Sequence, residues 1–140
     1  MTTTAESEAH GDYHVRRFED GDRDAFLALH DRVFDDGGDE AWFDWKFVSD
    51  PYTDHVPIVV AEHEGDLVGA KAAMPFELAA GRDADPVLAL QPCDTMVHSD
   101  HRGRGLYSRM TELMKAHYAD RGPALFFNFP NRATLSGSLK

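Results

Sequence analysis

Apolar positions recur along the chain with two different periods, and the switches between them mark out its elements. Alternation through Tyr13-His14-Val15-Arg16-Arg17-Phe18 predicts a first strand over residues 13–18. Phe26, Leu29, His30, Val33 and Phe34 then fall at helical spacing, with Asp20 or Asp22 placed to cap the helix and Gly37-Gly38 to stop it. Asp39 is placed to cap a second, short helix that carries Trp42, Phe43, Trp45 and Phe47 and ends at Asp50-Pro51. Two extended runs follow, 56–63 and 67–78, joined by the tight turn Glu64-Gly65-Asp66. A turn over 81–86 leads into a long strand at 87–97. Pro92 cannot donate to a ladder there, so a bulge or an edge is expected at that residue.

Helical spacing returns at Leu106, Met110, Leu113, Met114, His117 and Tyr118, and Gly122-Pro123 closes it. Residues 124–129 are nearly all apolar, which predicts a buried strand, and 131–140 read as the opening turns of another helix. The order is strand, two helices, a three-strand antiparallel meander, a glycine-containing turn, helix, strand. A strand–helix–strand unit makes its two strands parallel, whereas the meander is antiparallel. The fold class is therefore α+β (mixed α/β): a mostly antiparallel mixed sheet with one parallel strand pair and flanking helices.

Composition narrows the setting. A chain of 140 residues with 42% hydrophobic and 28% charged residues suits one folded domain, here 13–140, preceded by a tail over 1–12 that is expected to be disordered. Twenty-five acidic residues against 14 basic ones give a formal charge of -11, which disfavours nucleic acid and anionic membrane as partners. Any anionic ligand needs a local basic patch, and Arg102, Arg104 and Arg109 supply one. Aspartate outnumbers glutamate and arginine outnumbers lysine, a bias suited to a halophilic surface. The lone Cys93 rules out an intrachain disulfide. No apolar run approaches a membrane span, and 1–12 lacks the features of a signal peptide, so a cytoplasmic protein is expected.

The chemistry concentrates in Val97-His98-Ser99-Asp100-His101-Arg102-Gly103-Arg104-Gly105-Leu106-Tyr107-Ser108. A strand ends, two glycines alternate with arginines, and a helix begins. Backbone N–H groups at a helix start, unobstructed by side chains and flanked by guanidinium groups, suit a phosphate or pyrophosphate. A Walker-type loop is excluded because no lysine follows Gly105. A dinucleotide fingerprint fits poorly, since Ser108 replaces its third glycine and an antiparallel meander precedes the turn. A plain tight connection is the remaining bland reading.

Arg102-Gly103-Arg104-Gly105-Leu106-Tyr107 resembles the pyrophosphate loop of the GNAT superfamily of acyl-CoA-dependent N-acyltransferases, written Gln/Arg-x-x-Gly-x-Gly/Ala, with Tyr107 departing at the last position. Val97-His98-Ser99-Asp100-His101 is similar to the family's strand exit into that loop, Ser99 standing where proline is common. The hairpin Glu64-Gly65-Asp66 with Leu67-Val68-Gly69 is similar to another family turn. The resemblance implies that the backbone of Arg102, Gly103, Arg104, Gly105, Leu106, Tyr107 and Ser108 holds the pyrophosphate of acetyl-CoA. Met96 and Val97 would pair with the pantetheine arm, and Asn131 would contact CoA. It also implies direct attack by an amine acceptor, with oxyanion stabilisation at the strand end.

A base and an acid remain to be found. Asp94 is the best-placed carboxylate for the base, with His98 and Glu77 behind it, and Asp94 reads equally as a buried turn-stabilising group. The family's tyrosine acid falls on Ser138. Family members continue with two more strands, so the chain reads as a C-terminally truncated member, with a possible homodimer through the exposed strand at 124–129. The alternative is a non-catalytic CoA-binding or structural half-domain. His98, Asp100 and His101 converge too poorly for a metal, and none is expected. Cys93 reads as inert core rather than nucleophile. Trp42, Phe43, Trp45 and Phe47 either line the acceptor cleft or pack a helix on the sheet.

Overall fold

The computed structural model describes residues 7–119, except 11, 36, 50 and 80, together with 125–127. Six strands form one sheet in sequential order: β1 (Ser7–His10), β2 (Tyr13–Arg17), β3 (Ile58–His63), β4 (Asp66–Leu78), β5 (Val87–Val97) and β6 (Leu125–Phe126). The first five pair antiparallel, and β6 adds parallel to β5, with Ala89 opposite Leu125 and Leu90 opposite Phe126. This is the mixed α+β sheet with a parallel strand pair that the apolar pattern anticipates. The resemblance also implies that this pair splays, a feature that falls outside the described residues, as do Asn131, Ser138 and the helix expected over 131–140.

Helix α1 (Arg23–Phe34) and the short α2 (Glu40–Phe43), which runs on as a wider turn over Asp44–Val48, cover one face of the sheet. Phe26, Leu29, Phe43 and Phe47 pack there on Ile58, Val60, Ala70, Ala72 and Met96. Helix α3 (Leu106–Tyr118) covers the other face, setting Leu106, Met110, Leu113 and Met114 on Val15, Val59, Ala61 and Leu90. The small residues of β4 matter here. Gly69 lies against the Met110 side chain, so a Cβ at that position would already be in van der Waals contact.

Several expected details differ. Ser7–His10, placed by composition in a disordered tail, pair with β2, because an edge ladder needs only backbone hydrogen bonds and a tight turn. Asp22 does not cap α1 with its side chain. Its carboxylate instead accepts the Glu19 N–H at 2.8 Å and a two-pronged contact from the Arg16 guanidinium at 2.7 and 2.9 Å. Helix α1 stops at Asp35, whose φ of 58° is left-handed, before the glycines are reached. The Asp39 cap is formed: its carboxylate accepts the Trp42 N–H at 2.9 Å. The strand expected over 124–129 is described only at Leu125 and Phe126, and these are exposed rather than buried.

The bulge also moves. Pro92 sits opposite Ala73 inside the ladder, and the extra residue of β5 falls at Asp94–Thr95, opposite Lys71. Backbone direction explains why the proline is tolerated. Leu90 C=O accepts from Phe127 N–H on the β6 side, so Pro92, two residues on, also turns its nitrogen away from β4.

Candidate active site

Beyond the bulge the direction of β5 is reset. His98 N–H donates to Val68 C=O at 2.8 Å, so the polar groups of His98 and Met96 face β4, while those of Thr95 and Val97 face away from it. The chain then makes a single turn over Ser99–His101, passes through Gly103 and Gly105, and enters α3. Both glycines have φ of +75°, a conformation other residues adopt only with strain, and a Cβ on either would meet no atom within 4 Å. The approach to the helix start is therefore open. Gly105 caps α3 without a side chain, so the first N–H groups of the helix have no capping oxygen from it.

A cleft of about 590 Å³ lies at this junction. The structure brings Met96, Val97, Arg102, Gly103, Gly105, Leu106, Tyr107 and Ser108 to its wall, together with Thr95 and Val33, which sequence reading passed over. Met96 contributes a buried side chain, since its backbone is turned into the β4 ladder. Of the three arginines read as a basic patch, Arg102 donates through Nε to Val97 C=O at 3.0 Å and ties the loop to the strand end. Arg104 lies over the Tyr13 ring, 5.7 Å from its centroid, and Arg109 reaches the Tyr13 carbonyl at 3.3 Å. The Tyr13 hydroxyl in turn meets His101 Nδ1 at 2.8 Å, so β2 buttresses the loop from behind.

Asp94 stands on the other side of the same strand. Its φ of 47° belongs to the bulge and swings the carboxylate toward α1 and α2. There Lys46 Nζ donates to Oδ2 at 2.5 Å, and His30 Nε2 lies 3.3 Å from Oδ1. Lys46 also lies over the rings of Trp42 and Phe47, at 5.1 and 5.6 Å. His30 is 5% exposed, and its Nδ1 is buried with no hydrogen-bond partner among the described residues. A second cleft, of about 480 Å³, is lined by His30, Phe34, Gly37, Gly38, Trp42 and Asp94. Gly38 is needed for its shape, because a Cβ there would come within 2.3 Å of the Trp42 ring.

The other candidates separate from this pair of clefts. Glu77 is exposed and pairs with Leu88 at the far end of the β4–β5 ladder. His98 is engaged by Arg32 at 2.8 Å and by the Asp100 backbone at 3.1 Å. No group of three metal-ligating side chains occurs among the described residues. Burial, with the Asp94 charge beside it, pushes the Cys93 thiol up to about 12, which keeps it protonated and inert. Trp42, Phe43 and Phe47 pack among themselves and on Phe26, and Trp42 also forms cleft wall; Trp45 is exposed. Lys71, a solitary cation within the apolar run of β4, is 4% exposed and lies 4.8 Å from the Tyr107 ring centroid. Burial lowers its pKa below the ordinary lysine value.

The family model for the acetyltransferase (GNAT) domain matches residues 14–139. The chain belongs to the GNAT acetyltransferase family. Its fold is similar to that of the aminoglycoside N-acetyltransferase AAC(6')-Iy, solved in complex with CoA, at TM-score 0.67 and 15% identity over 94% of this chain and 86% of that one. It is also similar to glucosamine-6-phosphate N-acetyltransferase from Arabidopsis thaliana, at TM-score 0.68 and 17% identity over 92% and 89% of the two chains. A probable N-acyltransferase from Enterococcus faecalis V583 gives TM-score 0.74 at 15% identity, with 91% of this chain covering 32% of that longer one. No curated protein matches the chain significantly. Among the described residues, no helix of this GNAT domain is long and apolar enough to cross a membrane.

Proposed function

We propose that this GNAT domain is an acyl-CoA-dependent N-acyltransferase that uses acetyl-CoA and acylates a primary amine by direct attack. The observation that carries this reading is the cleft at the end of β5, where an open, glycine-flanked helix start adjoins outward-facing strand backbone. The pyrophosphate would rest on the backbone of residues 102–108. The pantetheine arm would pair with Thr95 and Val97, the two residues of this stretch whose backbone faces outward. Asp94 would be the base, its carboxylate lining the aromatic second cleft. The acidic surface favours a cationic acceptor, and the charge bias fits a halophilic cytoplasmic protein.

A second reading, a CoA-binding half-domain that acts only with a partner strand, is favoured by one feature. Leu125 and Phe126 on β6, an edge strand among the described residues, are 41% and 38% exposed, which suits pairing with a second copy or with further chain. Both readings require the coenzyme cleft. The test is binding of acetyl-CoA in high KCl to the parent chain and to Gly105→Asp. Aspartate at a φ of +75° costs about 1 kcal/mol and meets no neighbour, but it places a carboxylate where the pyrophosphate would lie. Binding to the parent and at least about a hundredfold loss in the variant are expected. Equal binding to the two chains would reject the loop as the coenzyme site. Release of CoA thiol on adding amines then separates the enzyme from the half-domain.

A further inference from the structure

The Lys46–Asp94 contact is unusual for a site in which Asp94 serves an external amine. One carboxylate oxygen is already held at 2.5 Å by a primary ammonium, and both side chains are about 15% exposed. Trp42 and Phe47 present ring faces to the same ammonium. A carboxylate with aromatic walls is the chemistry that would receive an acceptor amine. Here the chain fills that place with its own lysine.

We propose that Lys46 is itself acylated, in an intramolecular reaction with acetyl-CoA bound in the coenzyme cleft. The proposal rests on the acyl-CoA reading above. With the pyrophosphate at residues 102–108, an arm running back along β5 passes Val97 and then Thr95, so its thioester end points to the bulge where Asp94 stands. The Lys46 ammonium gives one proton to Asp94 Oδ2. The neutral amine attacks the thioester carbonyl carbon, the C–N bond forms, the C–S bond breaks, the second amine proton passes to the departing CoA thiolate, and Asp94 returns the proton it took to solvent. His30 Nε2, on the other carboxylate oxygen, keeps Asp94 oriented. The product is a neutral amide, which no longer compensates the Asp94 charge and so releases the carboxylate for an external ammonium. Lys71, buried on β4, faces Tyr107 on the opposite side of the sheet, and Lys115 is exposed on α3.

The test is intact-mass and peptide mass spectrometry of the chain incubated with acetyl-CoA. Parallel samples are Lys46→Arg, Asp94→Asn, Gly105→Asp and the parent unfolded in denaturant, with folding of each variant checked by circular dichroism. One acetyl group on Lys46 is expected, at a rate independent of protein concentration. It should be absent in Lys46→Arg, slowed about a hundredfold in Asp94→Asn, and lost in Gly105→Asp. A chain that binds acetyl-CoA but stays unlabelled, or labels Lys46 no faster than Lys115 or the unfolded sample, overturns the proposal and leaves the acyltransferase reading standing. A chain that does not bind acetyl-CoA overturns both.

Discussion

The two ends of the β5 bulge are built in opposite ways. On the proposed coenzyme side, the groups offered to a ligand are backbone N–H and C=O groups, positioned by two glycines and a helix start that are contiguous in sequence. On the carboxylate side, the working atoms are side chains from three separate elements: Asp94 from β5, His30 from α1 and Lys46 from the turn after α2. The first kind of site is written locally, because glycine, arginine and helix periodicity each act within a few residues. The second exists only once the faces of α1 and α2 have been laid on the sheet, so it is a product of tertiary packing.

The carboxylate side is the easier to break, since its charges are held away from water. Asp94→Asn keeps the shape and suits the left-handed backbone, but it leaves the Lys46 ammonium buried without a counter-charge. A loss of about 3 kcal/mol in unfolding free energy is expected by denaturant titration, and adding Lys46→Met should restore most of it. Failure of the double variant to recover would mean that the pair is not the main cost. The coenzyme side should respond more mildly. Tyr13→Phe removes the hydroxyl that holds His101 and should cost about 1 kcal/mol, with weaker acetyl-CoA binding measured by calorimetry because the loop loses its rear support.

Lys71 gives the smallest effect and the sharpest sign. Its native pKa lies below the unfolded value of about 10.4, so the charged form is what folding penalises. That cost is absent above the unfolded pKa and grows as pH falls toward the native one. Lys71→Met should therefore stabilise the chain near neutrality by under about 1 kcal/mol, offset in part by the lost contact with Tyr107, and the gain should vanish above about pH 10.4. Chemical melts at two pH values check this. A pH-independent difference would place the effect in packing alone.

The same contrast explains what could be read before folding. Periodicity located α1, α2, α3 and strands β2 to β5 within a few residues, because each buries one face on a common sheet. It missed Ser7–His10, where pairing depends on backbone and on no apolar pattern. At Pro92 a bulge or an edge was expected; the proline nitrogen faces away from β4, and the bulge itself is at Asp94. That two-residue difference matters: it turns Thr95 rather than Met96 outward and aims Asp94 at Lys46. Lys46 was passed over because the aromatic residues on either side of it were weighed only as cleft lining or packing, with no role for the lysine among them. Its position four residues after Trp42, on the same face, was the signal present in the sequence.

Acetyl-CoA binding tests the central claim most directly. A ligand that binds only the folded chain must raise its stability, by about 2.7 kcal/mol at a hundredfold excess over Kd. A rise in Tm with acetyl-CoA in the parent chain, abolished in Gly105→Asp, is the predicted result. A cooperative melt unmoved by acetyl-CoA would contradict the assignment of the β5–α3 cleft.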